Sequence, residues 1–303
     1  LAALDVDDDE ALFPVLVAVG SLAWRAGDFR FSLSAGERAL EIAERSGDPS
    51  ALAQAQYITG WARFKLADEQ RGLRELENAV RTFAAQGQRL NALLASIDYA
   101  IALKRTDPQR GHQLLREASE TAGASGWPRT VARVEIGLGE YEFLTGNYAG
   151  ACERARRIVE ARKTVRSGYS ITVALGNLSS YLNLMGETSE ARRTALEAIE
   201  LARTHGLRDA VGWSMQNVAL AMAREGRYEQ AARFLGSVDG LVAETGAMRE
   251  PTEARVHQAL LDVLREHLGE ECLEQELRLG RSISIEDAAA SLRLNEELIG
   301  AAD

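Results

Sequence analysis

Three tripeptides spaced 40 residues apart decide the fold of this chain: Gly146-Asn147-Tyr148, Gly186-Glu187-Thr188 and Gly226-Arg227-Tyr228. Gly27-Asp28-Phe29 has the same order of a glycine, a polar residue and, in most copies, an aromatic residue. Long segments with apolar residues at helical spacing separate these turns, and glycine readily adopts the left-handed backbone that ends a helix. The spacing therefore predicts an array of repeats in which a tight turn joins two helices.

Columns of small residues support this repeat. One column lies seven residues before each turn, and a second follows twelve residues later, or eleven in the third copy. Small side chains at fixed positions let two helix backbones approach closely. The first column is Gly20, Gly60, Ala100, Gly139, Ser179, Ala219 and Ala259, and the second is Ser32, Gly72, Gly111, Ala151, Ala191 and Ala231.

Each repeat is thus predicted to contain a helix A, a tight turn, a helix B and a loop. We expect six helical-pair repeats in residues 1–250, and a degenerate seventh repeat with a C-terminal helical cap in residues 251–303. The alternating pattern of β-strands does not occur over any useful length.

The small columns and the turn aromatics Phe29, Tyr148 and Tyr228 resemble those of tetratricopeptide repeats (TPR). A period of 40 residues exceeds the ~34 of that family and overlaps the ~40–47 of HEAT and armadillo repeats, so length alone does not choose between them. HEAT units lack this pair of columns around a Gly-polar-aromatic turn, which favours a longer-helix TPR subclass. The resemblance implies an all-α, right-handed α-solenoid of about seven antiparallel helix pairs.

Composition limits the partners and the compartment. The 303 residues carry a net charge of −10, which disfavours direct binding to nucleic acid or to an anionic membrane. Cys152 and Cys272 show no disulfide or metal spacing, which suits a reducing, cytoplasmic compartment. The most apolar stretch, Ala11 to Trp24, contains Pro14 and is too short to span a membrane, so we expect a buried helix there.

A narrower resemblance concerns the C-terminal tail. Leu268-Gly269-Glu270-Glu271, Gly280-Arg281 and Ile283 to Ala289 resemble the tail that closes the helical repeats of bacterial signalling ATPases (STAND-type) and of LuxR-family-like transcription regulators. The entry Leu22 to Phe29 is similar to the start of their repeat regions. The resemblance implies that this chain is the C-terminal part of such a protein, with an ATPase domain as an N-terminal partner. Because the chain begins at Leu1 without a methionine, we expect a fragment of a longer protein.

Motifs for catalysis are missing from the sequence. No GxxxxGK[ST] phosphate loop, GxSxG elbow or HExxH motif occurs. His267 with Glu270, Glu271 and Cys272 is the nearest approach to a metal-ligand set, and Gly269 interrupts it. We therefore expect neither an enzyme nor a cofactor or metal site; an enzyme on an α-solenoid is the remote alternative.

The sequence predicts a ligand-binding groove along the A helices, which line the concave surface in solenoids of this kind. Aromatic and basic residues share this face in the early repeats, a combination that suits an anionic or peptide ligand. Alternatively, the rings pack between neighbouring A helices and the basic stems cover apolar surface. The predicted groove residues are Tyr57, Trp61, Phe64, Lys65, Lys104 and Arg105.

Asn177 and Asn217 extend this groove in the later repeats. They lie two residues before the small column, where helix A asparagines of peptide-binding TPR proteins hold a peptide backbone, and an amide both donates and accepts. A structural role, with each amide bonded to an adjacent helix, is the alternative.

These observations predict a non-catalytic sensor module that binds a protein, a peptide or a small-molecule effector, as the C-terminal regulatory part of a bacterial signalling ATPase or transcription regulator. A free-standing peptide-sensing or scaffold TPR protein is the first alternative. Both functions place the binding site on the A helices.

Overall fold

The computed structural model describes the backbone of residues 9–300 and the side chains of residues 9–292. All regular secondary structure in this part of the chain is helical. The helices are α1 (Asp9–Ala26), α2 (Phe29–Ser46), α3 (Pro49–Lys65), α4 (Glu69–Ala85), α5 (Arg89–Ala102), α6 (Pro108–Ser125), α7 (Pro128–Leu144), α8 (Tyr148–Glu160), α9 (Arg162–Val165), α10 (Gly168–Met185), α11 (Thr188–Thr204), α12 (Arg208–Arg224), α13 (Tyr228–Thr245), α14 (Pro251–Arg281) and α15 (Ile285–Gly300).

The chain divides into two compact units, Leu1–Tyr141 and Glu142–Asp303, and the boundary falls within α7. In each unit, helix pairs stack so that a B helix packs against its own A helix and against the next one, as α2 and α4 do in the first unit and α11 and α13 do in the second. The A helices are α1, α3, α5, α7, α10, α12 and α14, and the B helices are α2, α4, α6, α8, α11 and α13.

The Gly-polar-aromatic turns form as their sequence predicts. Gly27, Gly146, Gly186 and Gly226 have φ between 84° and 88°, a backbone conformation that costs glycine no steric clash. In two of these turns the residue after the glycine caps helix B. The Asp28 carboxylate accepts a hydrogen bond from the N–H of Phe31, and the Asn147 side chain accepts one from the N–H of Gly150.

The small columns lie where helices A and B of one pair cross. A Cβ atom added to Gly72 of α4 would lie 2.6 Å from the carbonyl oxygen of Gly60 in α3, closer than real atoms approach. Ser179, Ala191, Ala219 and Ala231, which belong to these columns in the later repeats, are fully buried. Small side chains therefore set the distance between the two helices.

Two parts of the structure depart from a uniform repeat. The short helix α9 follows α8 as an extra turn before α10. Gly269 breaks α14 with φ 70° and ψ 168°, as the sequence predicted for this position. Within residues 9–300, no helix combines the length and apolar character needed for a membrane crossing.

The expectation of a buried helix at Ala11 to Trp24 is wrong for one side of α1. Leu12, Leu16 and Trp24 are buried, whereas Leu22 is 66% exposed. Among the described helices, α1 packs mainly against α2 and α3, and the side that carries Leu22 faces solvent.

Candidate functional site

In the first unit, the residues four positions after the small column pack between successive A helices. Trp24 of α1 meets Trp61 of α3 edge to face, with 5.8 Å between ring centroids. Lys104, just after α5, forms an ion pair with Glu140 of α7. The same repeat position thus provides an aromatic contact at one junction and an electrostatic contact at another.

This packing corrects the predicted accessibility of four groove residues. A ligand-binding groove requires accessible side chains, but Trp61, Phe64, Lys65 and Lys104 are only 2–7% exposed. The A helices lie close enough for side chains at this position to fill the space between them. Their role in ligand binding stays a prediction.

Lys65 and Arg105 occupy equivalent repeat positions beside the A–B turns. The Lys65 ammonium lies 5.4 Å from the ring centroid of Phe29, the first residue of α2. The exposed Arg105 guanidinium lies 3.8 Å from the carboxylate of Glu69, the first residue of α4. Because Glu69 and Glu140 lie beside Arg105 and Lys104, the predicted cationic strip is largely neutralised.

Tyr57 belongs to a polar row across three A helices of the first unit. Its hydroxyl donates a hydrogen bond to Asp98 of α5, and the Arg133 guanidinium of α7 donates to the other carboxylate oxygen of Asp98. Asp98 is buried, while Tyr57 and Arg133 are half-buried. We call these three residues the Tyr57–Asp98–Arg133 row.

Burial of Tyr57 and the nearby Asp98 carboxylate both raise the pKa of the phenol above its ordinary value. The tyrosine is therefore a neutral hydrogen-bond donor at physiological pH. Asp98 and Arg133 were not singled out in the sequence, because each is a lone charge on its own helix and their partnership joins positions 35 residues apart.

Asn217 lies inside the second unit and not on an open surface. It is 1% exposed, and its amide nitrogen donates to Ser180 Oγ and to the carbonyl oxygen of Trp213. Its side-chain oxygen accepts a hydrogen bond from Asn183 of α10. This geometry matches the alternative in which the Asn217 amide bonds to an adjacent helix. Asn177 is half-buried on α10.

Two arginines of the second unit bond to main-chain carbonyls. Arg224, the last residue of α12, donates to the carbonyl oxygen of Asn183. Arg255 of α14 donates to the carbonyl oxygens of Phe143 and Leu144 at 3.3 Å each, and its guanidinium lies 5.1 Å from the Phe143 ring centroid. Burial lowers the pKa of Arg224. No spacing signal in the sequence marks either contact.

Two members of the nearest metal-like residue set, His267 and Glu270, make other contacts. The His267 ring stacks on Tyr228 with 4.2 Å between centroids, and Glu270 pairs with Arg265. Among the described residues, no group of three or more His, Cys, Asp or Glu side chains is arranged to hold a metal ion.

Neither a protein-family model nor a curated protein matches this sequence. The structure is similar to that of a Rap protein complexed with Competence and Sporulation Factor, with a TM-score of 0.62, 10% identity, and 89% of this chain and 78% of that chain covered. It is also similar to the structure of the Rap conjugation gene regulator of the plasmid pLS20 in complex with the Phr* peptide. The TM-score is 0.59 at 15% identity, and the match covers 88% of this chain and 76% of that chain.

A weaker likeness is to the structure of a Podosopora anserina putative kinesin light chain with nearly identical TPR-like repeats. The TM-score is 0.47 at 16% identity, and the match covers 65% of this chain and 97% of that chain. At such identities, structural similarity reports the fold. The prediction of an all-α, TPR-like solenoid of helix pairs is confirmed.

Proposed function

We propose that this chain is a non-catalytic module that binds a peptide or an extended protein segment along its A helices, in the cytoplasm. The observation that carries the proposal is the Tyr57–Asp98–Arg133 row. A carboxylate and a guanidinium are costly to bury, and apolar residues would serve packing between A helices equally well. Their presence across three successive A helices favours a binding role.

The row offers the groups that a peptide backbone needs. The Asp98 carboxylate accepts N–H donors, the Arg133 guanidinium donates to C=O acceptors, and Tyr57 supplies a half-buried ring with a hydroxyl donor. A ligand carboxylate would compete with Asp98 for Arg133. Support for a peptide also comes from the Rap structures, which contain Competence and Sporulation Factor and the Phr* peptide.

The test is a random-peptide display selection on the immobilised chain, followed by affinity measurement of the enriched peptides. The decisive variant is Asp98→Asn combined with Arg133→Gln, which removes both charges at nearly constant shape. We expect affinity to fall about tenfold or more, a loss of ~1.4 kcal/mol.

Arg116→Gln on the exposed side of α6 is the matched control, and it should bind within about twofold of the parent. Thermal melting by circular dichroism checks that both variants fold. A folded double variant that binds as tightly as the parent contradicts the assignment of the site, and a selection that enriches no peptide contradicts the proposed function.

We further propose that the module is the C-terminal regulatory part of a bacterial signalling ATPase or transcription regulator, in which ligand binding alters the packing of the repeats against an N-terminal domain. The support is the tail Leu268 to Ala289 and the entry Leu22 to Phe29. Gene sequence upstream of the Leu1 codon tests this part. Continuation into a GxxxxGK[ST] motif is expected, and an in-frame stop codon directly upstream contradicts it without affecting the binding proposal.

A further inference from the structure

One side of α1 is apolar and open to solvent over three turns. It consists of Ala11, Val15, Ala18 and Leu22, which follow one another at helical spacing and are all exposed. No charged residue occurs in α1 between Glu10 and Arg25. We call these four residues the α1 face.

The α1 face occupies repeat positions that are buried in the following A helices. Val15 is 40% exposed and Leu22 is 66% exposed. The residues equivalent to them are at most 4% exposed: Ala55, Ala95, Val134, Ala174 and Ser214 for Val15, and Ala62, Ala102, Tyr141, Tyr181 and Ala221 for Leu22. Because these two positions are buried in each of the five following repeats, they belong to the interface between repeats.

The structure also shows what covers these positions. On α3 the equivalent residues Ala51 and Ala55 share a hydrophobic cluster with Ala35 and Ala39 of α2, the B helix of the preceding pair. A Cβ added to Gly36 of α2 would lie 3.1 Å from Cγ2 of Ile58, the equivalent of Ala18, so α2 approaches this position closely. The helix pairs α4 and α5, and α11 and α12, pack in the same order.

We propose that the α1 face is a docking surface for an amphipathic partner helix with the residue pattern of α2. Such a helix presents small and aliphatic residues at the spacing of Ala35, Ala39 and Ile42. It lies antiparallel to α1, as α2 does to α3, which places its N-terminal turn near Arg25. An acidic residue in that turn is therefore favoured. This surface is independent of the Tyr57–Asp98–Arg133 row.

The test uses the full chain and a peptide with the α2 sequence, residues 29–46, held helical by a hydrocarbon staple joining positions 41 and 45 on its exposed side. Fluorescence anisotropy of the labelled peptide should show saturable binding with a Kd below about 1 mM. Val15→Glu combined with Leu22→Glu should weaken binding by about tenfold or more, because carboxylates would enter an apolar contact. The same peptide carrying Ala35→Glu should bind equally weakly to the parent chain.

Leu90→Glu is the matched control, since Leu90 is 44% exposed on α5 of the same unit. It should leave the Kd within about twofold of the parent. Because all three substituted leucine and valine positions are exposed, thermal melting should confirm that each variant folds.

Three results would overturn the proposal. The first is the absence of saturable binding, and the second is equal binding by the parent and the double variant. The third is a dimer of the chain in sedimentation velocity that Val15→Glu with Leu22→Glu abolishes, since a second copy would then be the occupant of the α1 face.

Discussion

Ala67 stands where most turns of the array have glycine, and it has φ 67°. The left-handed conformation costs an L-residue with a Cβ roughly 1–2 kcal/mol, while glycine loses more entropy on folding. We expect Ala67→Gly to raise the free energy of unfolding by about 0.5–1 kcal/mol. Ala18→Gly, in the middle of α1, should instead lower it by about 1 kcal/mol. Chemical denaturation measures the free energy of unfolding of both variants. A loss of stability in Ala67→Gly contradicts the prediction.

Lys104 and Glu140 provide the second residue-level prediction. Both side chains are largely buried, so their mutual attraction offsets part of the cost of burying two charges. Lys104→Met should cost about 3 kcal/mol, because it removes the Lys104 ammonium from beside the largely buried Glu140 carboxylate. Combining it with Glu140→Leu should recover most of the loss. Equal destabilisation by the single and the double variant in thermal melting would show that the ion pair is not the cause.

The same pair shows why the candidate site was only partly predictable. Helical spacing identified the residues of the A helices that face their neighbours, and it placed Trp61, Lys65 and Lys104 on one side. Whether a side chain is buried depends on the helix that packs against it. Successive residues of a helix also point about 100° apart, so adjacent positions can differ in burial. The ion-pair partners of Glu140 and Asp98 lie about 35 residues away in the sequence, and no local pattern records so long a separation.

At the scale of helices, Gly72 tests the crossing of α3 and α4. A Cβ at this position would meet the Gly60 carbonyl oxygen at 2.6 Å and the Phe64 nitrogen at 2.7 Å, and neither backbone can move alone. Gly72→Ala should therefore destabilise the protein by about 1–3 kcal/mol.

Gly123 is the matched control for Gly72, since it lies in α6 with no atom within 4 Å of an added Cβ. Gly123→Ala should stabilise the protein by up to about 1 kcal/mol through helix propensity. The opposite signs, measured by urea denaturation, separate crowding from propensity. A neutral Gly72→Ala would mean that the two helices can separate at no cost.

Helix boundaries were more predictable than side-chain environments. Gly146, Gly186 and Gly226 define both the end of an A helix and the start of a B helix, because positive φ and the following cap are local properties. The extra helix α9 was missed. It adds one turn between α8 and α10 where the repeat predicts a simple loop.

At the scale of the whole molecule, the sequence specifies a fold class more firmly than a function. Solenoid repeats need only matching faces on adjacent helix pairs, and the small columns encode that requirement directly. A binding function depends on which polar groups stay accessible on the A helices. Tyr57 and Arg133 remain half-buried there, whereas Asn217 is enclosed by its own unit.

Arg255 adds a contact that a purely sequential array lacks. In such arrays each repeat contacts only its neighbours, yet within the second unit Arg255 bonds to carbonyl oxygens 111 and 112 residues earlier in the chain. Its positive charge at the C-terminal end of α7 also interacts favourably with the helix dipole. Local opening of residues 142–147 should therefore depend on an arginine in α14.

We expect Arg255→Met to lose about 1 kcal/mol of local stability, because charge-assisted hydrogen bonds vanish while the aliphatic stem remains. Amide exchange within residues 142–147 and 251–258 should accelerate by about fivefold, as measured by hydrogen-exchange mass spectrometry. Arg278→Met, an equally exposed change later in α14, is the control and should leave both segments unchanged. If the two variants exchange alike, the Arg255 contact does not couple α14 to residues 142–147.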